Sequence, residues 1–174
     1  VFYLPDVIKD YFKNGEAWDV KISYLQEETP LGTAGALSLI SEKHIHPIIV
    51  INGDLLTDIG YKEILDHHKK LDSRATMAVR DHEIQNPFGV VNAESFNITG
   101  FEEKPIYRSL INAGIYVLDP IALEYLQEGN SCDMPTLFKR LLDAEQHTSV
   151  FPMHESWIDV GRPEDLQLAS DKSE

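Results

Sequence analysis

Two aspartates in this chain follow short apolar runs, where a sheet would present them. Asp54 comes directly after Ile48, Ile49, Val50, Ile51, Asn52 and Gly53. A continuous run of that kind predicts a strand over Pro47 to Asn52, buried on both faces. Asp159 lies in Trp157-Ile158-Asp159-Val160-Gly161, a second short stretch closed by a glycine. In open α/β sheets, ligands bind beyond the carboxyl ends of the strands. Gly53 lets a backbone come close to such a ligand. Each aspartate alone also has a plainer reading. Asp54 fits a turn after a strand, and Asp159 fits an acid at the start of a helix opened by Pro163. Together, two carboxylates from two strand ends can hold one Mg²⁺, which takes few protein ligands beside substrate phosphate oxygens.

Two further clusters carry chemistry. In Phe101-Glu102-Glu103-Lys104-Pro105, a lysine offers a compact positive charge suited to a phosphate monoester. Pro105 predicts an extended Lys104, and Glu103 can accept hydrogen bonds from sugar hydroxyls. A solvated charge cluster at a turn is the alternative. In Thr29-Pro30-Leu31-Gly32-Thr33-Ala34-Gly35-Ala36, glycines open a helix whose free N–H groups favour anions. It matches neither G-x-G-x-x-G nor the P-loop, and a loop-to-helix junction fits it equally well. The histidines read as solvated or structural. His67 and His68 fall on a predicted surface helix, and His44, His46, His82, His147 and His154 lack metal-ligand spacing.

The elements that must position these groups alternate along the chain. Helices are predicted over Pro5 to Phe12, Ala34 to Ile40 with Thr33 as N-cap, and Tyr61 to Lys70 with Ile64, Leu65 and Leu71 facing inward. Later helices open at Pro120, at Met134-Pro135 running to Ala144, and at Pro163. Strands are predicted over Val20 to Leu25, Pro47 to Asn52, Ala75 to Val79, Gly89 to Asn92, Ile98 to Glu102, Asn112 to Leu118, Val150 to Pro152 and Trp157 to Val160. Turns fall at Asn14-Gly15 and at Glu94 to Asn97. The pattern is α/β: a three-layer, Rossmann-like α/β/α arrangement with a mainly parallel mixed sheet, read as one domain over residues 1–174.

Composition narrows the partners. Of 174 residues, 43% are hydrophobic and 25% charged, and the formal net charge is −14. A surface this acidic disfavours nucleic acid and anionic membranes. An acidic protein acting on phosphates needs a divalent cation or a few local cations. No apolar run approaches the roughly 20 residues of a membrane helix. The single cysteine, Cys132, forms no internal disulfide and fits a reducing, cytoplasmic setting.

Six segments occur in a telling order: Leu31 to Gly35, Asn52 to Asp54, Asn86 to Val91, Phe101 to Pro105, Asn112 to Tyr116, and Trp157 to Gly161. Together they resemble the sugar-1-phosphate nucleotidylyltransferase family, in its mannose-1-phosphate guanylyltransferase-like branch. The resemblance implies transfer of a nucleotidyl group from an NTP, with GTP favoured, to a sugar-1-phosphate. It places Gly32 and Gly35 against the base and ribose, and Asp54 and Asp159 on Mg²⁺. Gly89 would offer backbone contacts to the sugar. Glu103 and Asn112 would hold sugar hydroxyls, and Lys104 the sugar phosphate. The family opens with G-G-x-G-T-R-L and a Pro-Lys pair, neither of which occurs here. A domain incomplete at its N-terminus is therefore expected. The chain alone would be inactive and would self-associate as a homo-oligomer, or be poorly soluble, through an uncovered sheet edge. A nucleotide-sugar-dependent glycosyltransferase would carry Asp-x-Asp, whereas Leu55, Leu56 and Thr57 separate Asp54 from Asp58. A non-catalytic nucleotide-sugar sensor would have no need to keep both aspartates and Lys104.

Overall fold

The computed structural model describes residues 4–41 and 44–161. Its strands are β1 (Ile48–Ile51), β2 (Leu55–Thr57), β3 (Ala75–Gln85), β4 (Val90–Glu94), β5 (Asn97–Glu102), β6 (Ile106–Leu118), β7 (Thr148–Pro152) and β8 (Trp157–Asp159). Its α-helices are α1 (Pro5–Phe12), α2 (Gly32–Gly35), α3 (Tyr61–Lys70), α4 (Pro120–Leu123) and α5 (Met134–Asp143). A four-stranded sheet has the order β1-β6-β3-β7. β1 and β3 both run antiparallel to β6, and β7 runs parallel to β3. Three strands therefore share one direction and β6 opposes them. β2 and β8 form a separate antiparallel ribbon, and β4 and β5 a hairpin.

The upper half of β6 is the centre of the molecule. Its side chains alternate between two cores, as strand geometry requires. Tyr116 and Leu118 face a cluster with Met134, Leu137, Phe138 and Leu141 of α5. Those four recur at i, i+3, i+4 and i+7, one face of a helix. Ile115 and Val117 face the other way, toward Ile64 of α3, Ile59 and Met153. With both faces covered by helices, the three-layer expectation is met.

Several expectations need correction. Val20 to Leu25 is not a strand. The amides of Val20 and Ile22 bond the carbonyls of Gly15 and Asn14, so the segment folds back on the turn before it. Ile22 and Tyr24 are half-buried, and the Tyr24 hydroxyl donates to the carbonyl of Lys13, just after α1, at 2.6 Å. β1 is not buried on both faces, because Ile49 and Ile51 are 36% and 41% exposed on one side. Leu71 does not face inward and is exposed. The helix expected over Ala34 to Ile40 is one α turn followed by a 3₁₀ turn over Ala36–Leu39. The helix expected from Pro163 lies outside the described residues. No helix among those described is long and apolar enough to cross a membrane.

His68 is buried, not on the surface, so the structural reading holds for another reason. Its Nδ1 lies 2.8 Å from Thr76 Oγ1, which lies 2.9 Å from Ser149 Oγ, and Ser73 Oγ donates to the same Ser149 at 2.8 Å. Burial pushes the imidazole pKa below its ordinary value of 6.5. The folded state thus holds His68 neutral where the unfolded chain would protonate it. Below pH 6.5 the unfolded state binds the extra proton, so this contribution to stability falls as pH falls. Urea midpoints between about pH 7.5 and 5.5 should therefore decline less steeply for His68→Gln than for the natural chain. Equal slopes would remove His68 as the cause.

Candidate functional site

A bulge in β6 gathers the candidate site. Opposite β3 the register slips: Met77 faces Tyr116 but Val79 faces Asn112, so Ala113, Gly114 and Ile115 oppose Ala78 alone. Bulges of this kind re-aim groups beside functional sites. Gly114 sits at φ +74°, and a Cβ there would lie 2.8 Å from Asn52 Nδ2 and 2.9 Å from Leu55 Cδ1. Asn112 braces the bulge. Its Oδ1 accepts from the Gly114 amide at 2.9 Å, and its Nδ2 donates to the Tyr116 hydroxyl at 2.8 Å. Burial pushes the Tyr116 phenol pKa up, and the Asn112 bond acts against it.

The carbonyls of the bulge reach both aspartate-bearing segments. The Asn52 amide donates to Gly114 O at 2.9 Å, and the Trp157 indole N–H donates to Ala113 O at 2.8 Å. β2 and β8 then pair Leu55 with Asp159, and the Val160 amide donates to Asp54 O at 2.8 Å. The two carboxylates converge over Gly161. A Cβ added there would lie 3.0 Å from Asp159 Oδ1 and 3.1 Å from Asp54 Oδ2. These oxygens are thus within about 6 Å of each other, in reach of one cation after small side-chain rotation. Both residues are exposed, and neither forms an ion pair among the described residues. A Cβ added at Gly53 would meet nothing within 4 Å among those residues, which leaves room beside Asp54.

The remaining residues fall into two other groups. Gly89 faces Glu103, whose Oε2 would lie 3.1 Å from an added Cβ. Lys104 is exposed and forms no hydrogen bond or ion pair with any described residue. It is not extended as Pro105 predicts, but left-handed at φ +46°. Three residues alone join β5 to β6, and the Asn86 amide holds Pro105 O at 2.9 Å, so the reversal falls on Lys104. No hydrogen bond or ion pair among the described residues links Glu103 or Lys104 to Asp54 or Asp159.

The loop at Gly32 and Gly35 is packed against residues 130–133. Thr33 does not cap its own helix, whose N-cap is Leu31. Its Oγ1 accepts from the Met134 amide at 2.8 Å, while Asp133 Oδ1 accepts from the Thr33 amide at 3.3 Å. The starts of α2 and α5 thus cap each other. The amides of Ala34 and Gly35 both donate to Cys132 O at 2.9 Å. Three donors expected to be free for an anion are therefore already taken. Added Cβ atoms at Gly32 and Gly35 would meet Asp133 Oδ1 at 2.5 Å and Asn130 O at 2.8 Å. Packing within the chain accounts for both glycines on that side.

The nucleotidyl transferase family model matches residues 3–174. The chain belongs to the nucleotidyl transferase family. Relatives include mannose-1-phosphate guanyltransferase of Aspergillus oryzae, 35% identical over 177 residues, covering 95% of this chain and 48% of that protein. Mannose-1-phosphate guanylyltransferase 1 of Arabidopsis thaliana is 33% identical over 173 residues, covering 94% and 47%. The chain thus spans about half the length of the curated relatives it matches. HddC from Yersinia pseudotuberculosis superposes with a TM-score of 0.68 at 25% identity, over 99% of this chain and 76% of that one. A putative glucose-1-phosphate thymidylyltransferase from Bacillus anthracis shares the fold, with a TM-score of 0.72 at 21% identity, over 97% and 72%.

Within this member of the family, sequence reasoning missed Trp157 as an anchor and Asn112 as a brace. One signal for the second was present. A glycine inside a strand, as in Asn112-Ala113-Gly114-Ile115, marks a bulge or a close backbone approach. The indole bond to Ala113 spans 44 positions and left no local trace.

Proposed function

We propose that the protein joins a nucleoside triphosphate, by preference GTP, to a sugar-1-phosphate of the mannose type, giving the NDP-sugar and pyrophosphate. The observation that carries this reading is the convergence of Asp54 and Asp159 over Gly161 in a chain of this family. The names of its relatives support the choice of base and sugar. An oxygen of the sugar phosphate attacks the α-phosphorus, the bond to the β-phosphate bridging oxygen breaks, and pyrophosphate leaves with the electron pair. A phosphate monoester has its second pKa near about 6, so the nucleophile is already ionised at neutral pH and no general base is needed. Positioning and charge neutralisation do the catalysis.

The donor set fits Mg²⁺. Two exposed carboxylates without a basic partner among the described residues face one space, and Gly161 places no side chain in it. Bound there, Mg²⁺ supplies positive charge to phosphate oxygens that would otherwise repel each other. Asp54 and Asp159 would hold it. Glu103 accepts hydroxyl hydrogen bonds from the sugar, and Gly89 leaves its backbone open beside it. Asn112 keeps one N–H and one lone pair beyond its two internal bonds, enough to meet a hydroxyl. Gly32, which is exposed, offers the surface of its loop to base and ribose, while Gly35 is buried beneath it and lets the loop pack close to residues 130–132. Lys104 takes the sugar phosphate. Its left-handed backbone costs about 1–2 kcal/mol, and strain of that kind collects at functional sites. A cytoplasmic setting belongs to the same proposal and agrees with the free, buried Cys132.

The experiment is a panel of NTPs against sugar-1-phosphates with the full-length protein, following pyrophosphate. Release from at least one pair is expected, and silence across the panel would end the proposal. Lys104→Ala should raise KM for the sugar-1-phosphate about tenfold or more, the worth of a charge-assisted hydrogen bond, with KM for the NTP within about threefold. An equal or larger effect on the NTP would put Lys104 elsewhere.

A further inference from the structure

We infer that Trp157 is a positioning residue, whose indole N–H on the Ala113 carbonyl fixes where Asp159 stands relative to Asp54. The inference rests on the metal reading of the two aspartates proposed above. β2 and β8 contribute three residues each, and a two-stranded ribbon so short does not hold its own shape in water. Something outside it must set the carboxylate geometry. The Asn52 amide, two residues before Asp54, donates to Gly114 O at 2.9 Å. The Trp157 indole, two residues before Asp159, donates to Ala113 O at 2.8 Å. Both aspartates thus hang at equal sequence distance from neighbouring carbonyls of one bulge. One of those anchors is backbone, and the other is a side chain.

The indole is itself held. The Arg80 guanidinium lies 5.7 Å from the centre of the Trp157 ring, within reach of a cation–π contact. Its Nη1 donates to the carbonyl of Glu155, two residues upstream. Trp157 is half-buried against the cluster that contains Ile64, Ala113, Ile115 and Met153. Trp157→Phe keeps most of this packing and the aromatic face but removes the donor. β8 would then keep its fold yet lose the link that sets Asp159.

The test measures Mn²⁺ binding to the full-length protein, with free ion followed by electron paramagnetic resonance, at a temperature well below unfolding. Trp157→Phe should weaken Mn²⁺ about fivefold or more, the equivalent of one hydrogen bond. Arg80→Gln should weaken it in the same direction by less. Leu141→Val, a buried change on α5 in the core opposite the one Trp157 packs on, should destabilise the fold and leave Mn²⁺ affinity unchanged. Natural affinity in folded Trp157→Phe, when Asp159→Asn has lost the ion, would overturn the inference and leave the metal reading standing. Natural affinity in Asp159→Asn would overturn the metal reading and the inference with it. If Trp157→Phe does not fold, Arg80→Gln decides, and unchanged affinity there overturns the inference.

Discussion

Asp54→Asn and Asp159→Asn are each expected to lower turnover by roughly two orders of magnitude or more, on the order of 3 kcal/mol of transition-state stabilisation. Each change keeps size and shape and removes one negative charge. Both residues are exposed and outside the two cores, so folding should be little affected. The loss should therefore appear in rate and in metal dependence, not in melting temperature. Raising Mg²⁺ should recover part of it, since one carboxylate remains on the ion. Near-natural turnover in both variants at limiting Mg²⁺ would remove the aspartates from the mechanism.

The second large effect is on stability. Gly32→Ala should destabilise the fold by about 3 kcal/mol, from a left-handed alanine at about 1–2 kcal/mol and overpacking at about 1–3 kcal/mol. The backbone there is at φ +76°, and the new methyl would sit 2.9 Å from Cys132 O, a backbone atom held by the amides of Ala34 and Gly35. Two other glycines separate the causes. Gly129 is at φ +70° with nothing within 4 Å of its added Cβ among the described residues, so Gly129→Ala should carry the conformational cost alone. Gly53 has that open space without a positive φ, and Gly53→Ala should be near neutral for stability. Urea unfolding of the three variants checks the order. A Gly32→Ala chain within about 1 kcal/mol of the natural one would show that the 31–35 and 130–133 segments can part freely.

What could be read in advance followed from local chemistry. Apolar runs ending at Asp54 and Asp159 placed both at the edges of strands, and Met134-Pro135 marked the start of α5, which runs to Asp143. What escaped depends on partners far along the chain. Thr33 carries the side chain of an N-cap, yet the amide it serves belongs to Met134, 101 residues away. Val20 to Leu25 alternates as a strand does, yet the amides of Val20 and Ile22 go to the carbonyls of Gly15 and Asn14 in the turn before it. β6 begins at Ile106, well before the expected Asn112, because pairing with β3 extends it through residues exposed on both faces. Such residues give no burial pattern to read. At Lys104 the preference set by the following proline gave way to the geometry of a three-residue connection.

The central claim is that a sugar phosphate oxygen attacks the α-phosphorus of an NTP. It is tested most directly with a sugar-1-phosphate carrying ¹⁸O in the bridge between C1 and phosphorus, incubated with GTP, Mg²⁺ and the full-length protein, and followed by ³¹P NMR. The expected result is one pyrophosphate for each NDP-sugar, with the label retained between C1 and the β-phosphorus, because no bond to C1 breaks. Label released into free phosphate, or formation of product without pyrophosphate, would contradict it.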